Sequence, residues 1–141
     1  MTIEEKQEKI VEEFSVFDDW MDRYNFLIDL GKDLDVLSEK DKNRDYLIEG
    51  CQSKVWLKPD LREGRVYFSA DSDAIITRGI VALLVRVLSG HTPAEIMDAD
   101  LSFIDRIGLR QNLSPTRSNG LLAMVKQMKL YAIAYSSKMK G

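Results

Sequence analysis

The chain has 141 residues, 45% of them apolar and 30% charged, with a formal net charge of −3. That length buries a full core as one domain over residues 1–141, and the acidic balance gives no general attraction to nucleic acid or an anionic membrane. One cysteine and one histidine exclude an intramolecular disulfide, a paired-cysteine redox motif and a multi-cysteine metal site within one chain.

Ile3, Ile10, Val11 and Phe14 recur at helical spacing and predict a first amphipathic helix over residues 3–14. A second helix follows Ser15 and carries Phe17, Trp20, Met21, Tyr24, Leu27, Ile28 and Leu30, stopping near Gly31. The charged segment from Lys32 to Arg44 reads as a surface connection with a short turn at Ser38 to Lys42.

From Tyr46 to Ala70 the pattern changes to strands: Tyr46-Leu47-Ile48, then Val55-Trp56-Leu57, then Arg65 to Ala70 after a turn region at Pro59 and Gly64. Three such strands form a small antiparallel sheet that cannot bury itself, so helices must cover a face. Asp71, Ser72 and Asp73 offer capping oxygens to a helix that is apolar nearly all round from Ala74 to Leu88 and ends at Gly90. Thr92-Pro93-Ala94-Glu95 and Ser114-Pro115 are two further helix starts, the second opening a long helix to about Tyr135. Helices, a small three-stranded antiparallel sheet, then helices again give an α+β class.

The N-terminus is charged and lacks a signal core, and the longest apolar stretch, Gly79 to Val85, is far shorter than a membrane span. A reducing cytoplasm is the expected location, with no membrane partner and a free thiol.

Cys51 follows Gly50 and precedes Gln52 and Ser53, between two short apolar stretches. Glycine lets the backbone turn tightly, and the polar neighbours are poor core filler, so the thiol is read as an accessible nucleophile on a loop. The bland reading is a small buried hydrophobe. His91 is the only histidine available to activate the thiol, and it sits in a turn where a polar residue is unremarkable. Arg117, one turn into the Ser114 helix, would favour thiolate if it lay beside the sulfur; its bland role is an ion pair with Asp71 or Asp73. Those two aspartates read as helix caps, or as a docking feature beside the loop. Gly31, Gly64 and Gly108 are expected to form turns, and Met124 and Met128 to fill core. No nucleotide fingerprint or metal-ligand spacing is present.

Three ordered blocks carry a family resemblance: Gly50-Cys51-Gln52-Ser53 with Val55-Trp56, Asp71-Ser72-Asp73-Ala74 with Gly79, and Leu113-Ser114-Pro115-Thr116-Arg117-Ser118 with Gly120. In order and spacing the chain resembles the SufE family of sulfur-acceptor proteins over almost its whole length, with Thr116 where a serine is usual. The resemblance implies a fold like that of the IscU scaffolds. It implies that Cys51 receives persulfide sulfur from a SufS-type cysteine desulfurase, stimulates that enzyme, and passes sulfur to the SufBCD scaffold for iron–sulfur cluster assembly. Pyridoxal phosphate then belongs to the desulfurase, and this chain needs no cofactor or metal. It is a carrier and activator, not a stand-alone enzyme, and a homodimer is compatible with the resemblance. Gly50, Gln52 and Ser53 are the expected supporting loop; Asp71, Asp73 and Arg117 are expected to dock the partner or stabilise sulfur. Two other readings compete: an allosteric desulfurase-activating module in which Cys51 is incidental, and an independent thiol enzyme.

Overall fold

Two helices approach each other through glycine, and the rest of the molecule is arranged around that crossing. The computed structural model describes residues 1–34 and 37–140, the last two without their side chains. In chain order the helices are α1 (Ile3–Phe14), α2 (Trp20–Lys32), α3 (Ile75–Leu88), α4 (Pro93–Asp98), α5 (Phe103–Arg106) and α6 (Pro115–Lys140). The strands β1 (Val55–Arg62) and β2 (Arg65–Ser72) lie between α2 and α3, and 3₁₀ turns occupy Glu39–Asp41 and Arg110–Asn112.

Helix α3 is buried along most of its length because its sequence is apolar on nearly every face. Ile80, Leu83, Leu84 and Leu88 are almost wholly inaccessible, and each contributes on the order of 1.5–3 kcal/mol by leaving water. Helix α2 stops at Lys32, as expected near Gly31, but Gly31 is still helical and does not form a left-handed cap. A Cβ at Gly31 would sit 2.9 Å from the Gly79 nitrogen, and one at Gly79 would sit 2.3 Å from the Leu27 carbonyl oxygen. Both glycines therefore serve the close approach of α2 and α3. Gly64, Gly90 and Gly108 do hold the left-handed conformation expected of turns.

The expected helix starts at Thr92 and Ser114 are present. Thr92 and Glu95 form a reciprocal capping box, and Ser114 Oγ accepts the Arg117 backbone N–H at 3.3 Å. The short α5 and the second 3₁₀ turn carry no strong periodicity in sequence and add to the expected elements.

The sheet differs from expectation. Among the described residues it has two strands, not three. Tyr46–Ile48 reaches β1 only through an isolated bridge, Leu47 to Trp56, with Ile48 N donating to Val55 O and Tyr46 O accepting from Leu57 N. The pairing stops there because Pro59, the next β1 residue that would offer an N–H on this side, has none. Pro59, expected to turn the chain, instead lies within β1 opposite Phe68. Leu57 directs its N–H at the 46–48 segment, so Pro59, two residues on, turns its missing donor to the same side, beyond the bridge. The reversal falls later, at Glu63 and Gly64, whose φ values of 52° and 78° make the paired left-handed turn that suits strand twist.

The expected connection from Lys32 to Arg44 contains residues 35 and 36, which lie outside the described residues. Its Lys42 and Asp41 reach back to the hairpin, through Lys42–Asp71 at 2.8 Å and Lys58–Asp41 at 3.1 Å.

Candidate functional site

The cysteine loop is built at the open end of the hairpin. Its two ends are joined where Ile48 N donates to Val55 O at 2.8 Å. Gly50 takes φ +89°, which only glycine adopts cheaply, and a Cβ there would lie 3.4 Å from the Ala123 methyl of α6. One turn earlier on α6, Gly120 lies against the sulfur. Cys51 Sγ contacts Gly120 O at 3.6 Å, and a Cβ on Gly120 would be 3.6 Å from that sulfur.

The thiol is half-buried. It opens into a cavity of about 70 Å³ lined by Gln52, Ser53, Thr77, Ile80, Arg117 and Met124, together with Thr116 and Gly120. Burial pushes the Cys51 pKa up from the ordinary thiol value, so the resting group is held as thiol. Arg117 is the charged side chain of this lining, and it is exposed. It does not pair with Asp71 or Asp73, as its bland reading supposed.

Asp71 is only 2% exposed, and its oxygens are already engaged. Oδ2 lies 2.8 Å from Lys42 Nζ, while Oδ1 lies 2.8 Å from Arg78 Nε and accepts the Ser72 N–H at 2.8 Å. Burial works against ionisation here, but Lys42, the Ser72 N–H and Arg78 outweigh it and hold the carboxyl below the usual range. Asp71 therefore neither caps α3 nor offers a docking surface, which corrects both expectations for it. Helix α3 starts instead from Ala74 without a side-chain cap.

Asp73 is exposed, and its Oδ1 accepts the Lys54 N–H at 3.0 Å, with its own N–H returned to Lys54 O at 3.2 Å. Ser72 Oγ donates to the same Lys54 carbonyl at 2.8 Å. The Asp-Ser-Asp run thus clasps the last residue of the cysteine loop. The sequence suggests proximity between these blocks but not this bonding, and gives no sign of Lys42 or Arg78 as Asp71's partners. Thr77 and Ile80 also escape sequence reasoning, being indistinguishable from core residues of an apolar helix.

His91 is remote from the thiol. Its backbone pairs with Val66 near the hairpin turn, six residues along β2 from Ser72, or about 20 Å at strand spacing. It is buried beside Glu95 and cannot form a nucleophilic pair with Cys51. Among the described residues no group of three or more His, Cys, Asp or Glu side chains is placed to hold a metal ion, and no helix is long and apolar enough to cross a membrane.

Residues 8–132 match the family model described as SufE: Fe-S metabolism associated domain. The chain belongs to the SufE family. It is 40% identical over 127 residues to an uncharacterized SufE-like protein of Synechocystis, covering 90% of this chain and 80% of that one. An uncharacterized SufE-like protein of Rhizobium etli is also 40% identical over 127 residues, 86% of each chain. SufE-like protein 1, chloroplastic/mitochondrial, of Arabidopsis thaliana is 40% identical over 129 residues, 91% of this chain but 35% of that longer protein. A solution structure of a hypothetical protein from Thermus thermophilus has the same fold, with a TM-score of 0.77 at 18% identity, covering 94% of this chain and 96% of the other.

Proposed function

We propose that this SufE-family chain is a sulfur acceptor and carrier, taking persulfide sulfur from a SufS-type cysteine desulfurase onto Cys51 and stimulating that enzyme. The sulfur then passes to a SufBCD scaffold for iron–sulfur cluster assembly. The observation that carries this reading is a single half-buried thiol facing a cavity of about 70 Å³ whose lining holds no general base. A stand-alone thiol enzyme needs a base in hydrogen-bond reach of the sulfur, whereas a carrier needs a sheltered acceptor that a partner activates.

In the transfer step, Cys51 thiolate attacks the terminal sulfur of the donor persulfide. A new S–S bond forms at Cys51, the donor S–S bond breaks, and its cysteine leaves as thiolate. One persulfide and one thiolate enter and one of each leaves, so no oxidant or reductant is consumed. Because burial raises the Cys51 pKa, deprotonation accompanies docking, when the loop leaves the cavity for the partner's site. The pyridoxal phosphate chemistry belongs to the desulfurase. The expected compartment is that of the desulfurase, the cytoplasm.

Incubation with desulfurase, pyridoxal phosphate and cysteine, followed by intact-mass analysis, tests the proposal. The expected result is one added sulfur, removable by thiol reductant, on the peptide containing Cys51. A Cys51→Ser protein that stimulates the desulfurase as well as the parent would sink the carrier reading and leave an activating module.

A further inference from the structure

Asp71 is a buried charge that two other parts of the chain neutralise. Lys42 comes from the segment before the cysteine loop, Arg78 from the end of the first turn of α3, and Asp71 itself from the end of β2. The product of this convergence is the placement of one residue, Ser72. Its N–H is received by Asp71 Oδ1 at 2.8 Å, and its carbonyl accepts Arg78 Nη2 at 3.1 Å. With its backbone held from both sides, Ser72 has its hydroxyl aimed at the Lys54 carbonyl, 2.8 Å away, and receives the Ala74 N–H at 3.2 Å.

Lys54 closes the loop that carries Cys51. Between Ile48 and Lys54 the loop's other anchor is the long contact of Cys51 Sγ with Gly120 O at 3.6 Å. A weak sulfur contact alone does not fix a glycine-containing loop. The loop's position is therefore set from its base.

We infer that Asp71 is the positioning residue of the Cys51 loop, acting through the Ser72–Lys54 clasp to keep the thiol in its cavity at rest. This rests on the carrier reading only for its purpose, since a sulfur carrier must shelter its thiol between partners. Asp71 touches no reacting atom. Replacing it with asparagine leaves Lys42 and Arg78, two cations, facing each other across a neutral amide, so the convergence that fixes Ser72 loosens. The charged group facing the thiol cavity itself is Arg117, which the substitution leaves in place.

The test needs no desulfurase. Alkylation of Cys51 by iodoacetamide is followed against pH in the full chain for the parent, Asp71→Asn, Ser72→Ala and Glu13→Gln. Glu13 pairs with Arg86 on the far end of α3, so its variant reports general destabilisation. Asp71→Asn and Ser72→Ala are expected to alkylate at least about threefold faster at neutral pH, with profiles moved toward the ordinary thiol range, while Glu13→Gln follows the parent. A folded Asp71→Asn protein with the parent profile overturns the inference, as does an equal change in Glu13→Gln. If Asp71→Asn does not fold, Ser72→Ala decides alone, and a parent-like profile there overturns it. Failure of sulfur loading in the mass experiment would refute the carrier reading without altering this result.

Discussion

The same substitution, glycine to alanine, has opposite consequences at two helical positions. In a helix interior alanine is favoured over glycine by about 1 kcal/mol, so propensity alone stabilises both Gly79→Ala and Gly120→Ala. At Gly79 the new methyl would lie 2.3 Å from the Leu27 carbonyl oxygen and 2.8 Å from its carbon. Those are backbone atoms inside α2 and cannot rotate away. Helices α2 and α3 must separate by roughly an ångström to restore ordinary contact, which loosens packing around buried Leu27 and Ile80. Overpacking of this kind costs about 1–3 kcal/mol, and more where the neighbour is rigid. The expected net loss for Gly79→Ala is about 2 kcal/mol. At Gly120 the nearest atom is Cys51 Sγ at 3.6 Å, an ordinary contact, so Gly120→Ala is expected to gain about 0.5–1 kcal/mol. Urea unfolding followed by tryptophan fluorescence measures both, with the m-value unchanged if only stability moves. A Gly79→Ala protein as stable as the parent would refute the glycine-mediated crossing of α2 and α3.

Acid should weaken the fold through His91 before it weakens it through carboxylates. Burial lowers the folded-state pKa of His91, Lys6 lowers it further, and Glu95 only partly opposes them. The unfolded chain therefore takes up a proton near pH 6.5 that the folded chain refuses, so stability is full above that pH and falls as pH drops below it. Asp71 and Glu13 are also held below their usual pKa, but their contribution is lost only as pH falls below about 4.5. Urea midpoints at about pH 7.5 and 5.5 should differ in the parent and much less in His91→Gln; equal drops would refute the assignment. At the hairpin turn Glu63 holds φ 52° without being glycine. Glu63→Asn or Glu63→Gly is expected to raise stability by about 0.5–1 kcal/mol, seen as a higher urea midpoint; a lower one would contradict the turn assignment.

The helices were legible because their signals are local. Caps at Thr92 and Ser114, and the apolar faces of α1 and α3, lie within a few residues of what they determine. The sheet is less legible because strand pairing is decided by non-local contacts. Tyr46–Ile48 has the composition of a strand, yet whether three residues extend a ladder depends on what β1 offers at that edge. Pro59 departs from expectation for a related reason: a proline marks a turn unless its missing donor faces an unpaired edge, and that edge exists only after β1 and β2 have paired. Gly31 and Gly79 show the same limit, because a stop signal and a helix crossing use the same residue.

The site divides along this line too. Cys51, Gly50 and Gly120 stand in blocks whose order was visible, but the reason for each block was not. The Asp-Ser-Asp run resembles a helix cap in sequence because caps and clasps use the same short oxygen-bearing side chains. What separates them is the direction of the oxygens, and at Asp71 that direction is set by the Lys42 and Arg78 side chains rather than by the free backbone N–H groups at the start of α3. A buried aspartate with two cationic partners is costly to desolvate and returns little net stability. Its presence at the base of the Cys51 loop fits the inference drawn above, in which the gain lies in geometry: Asp71 accepts the Ser72 N–H, and Ser72 and Asp73 together hold Lys54.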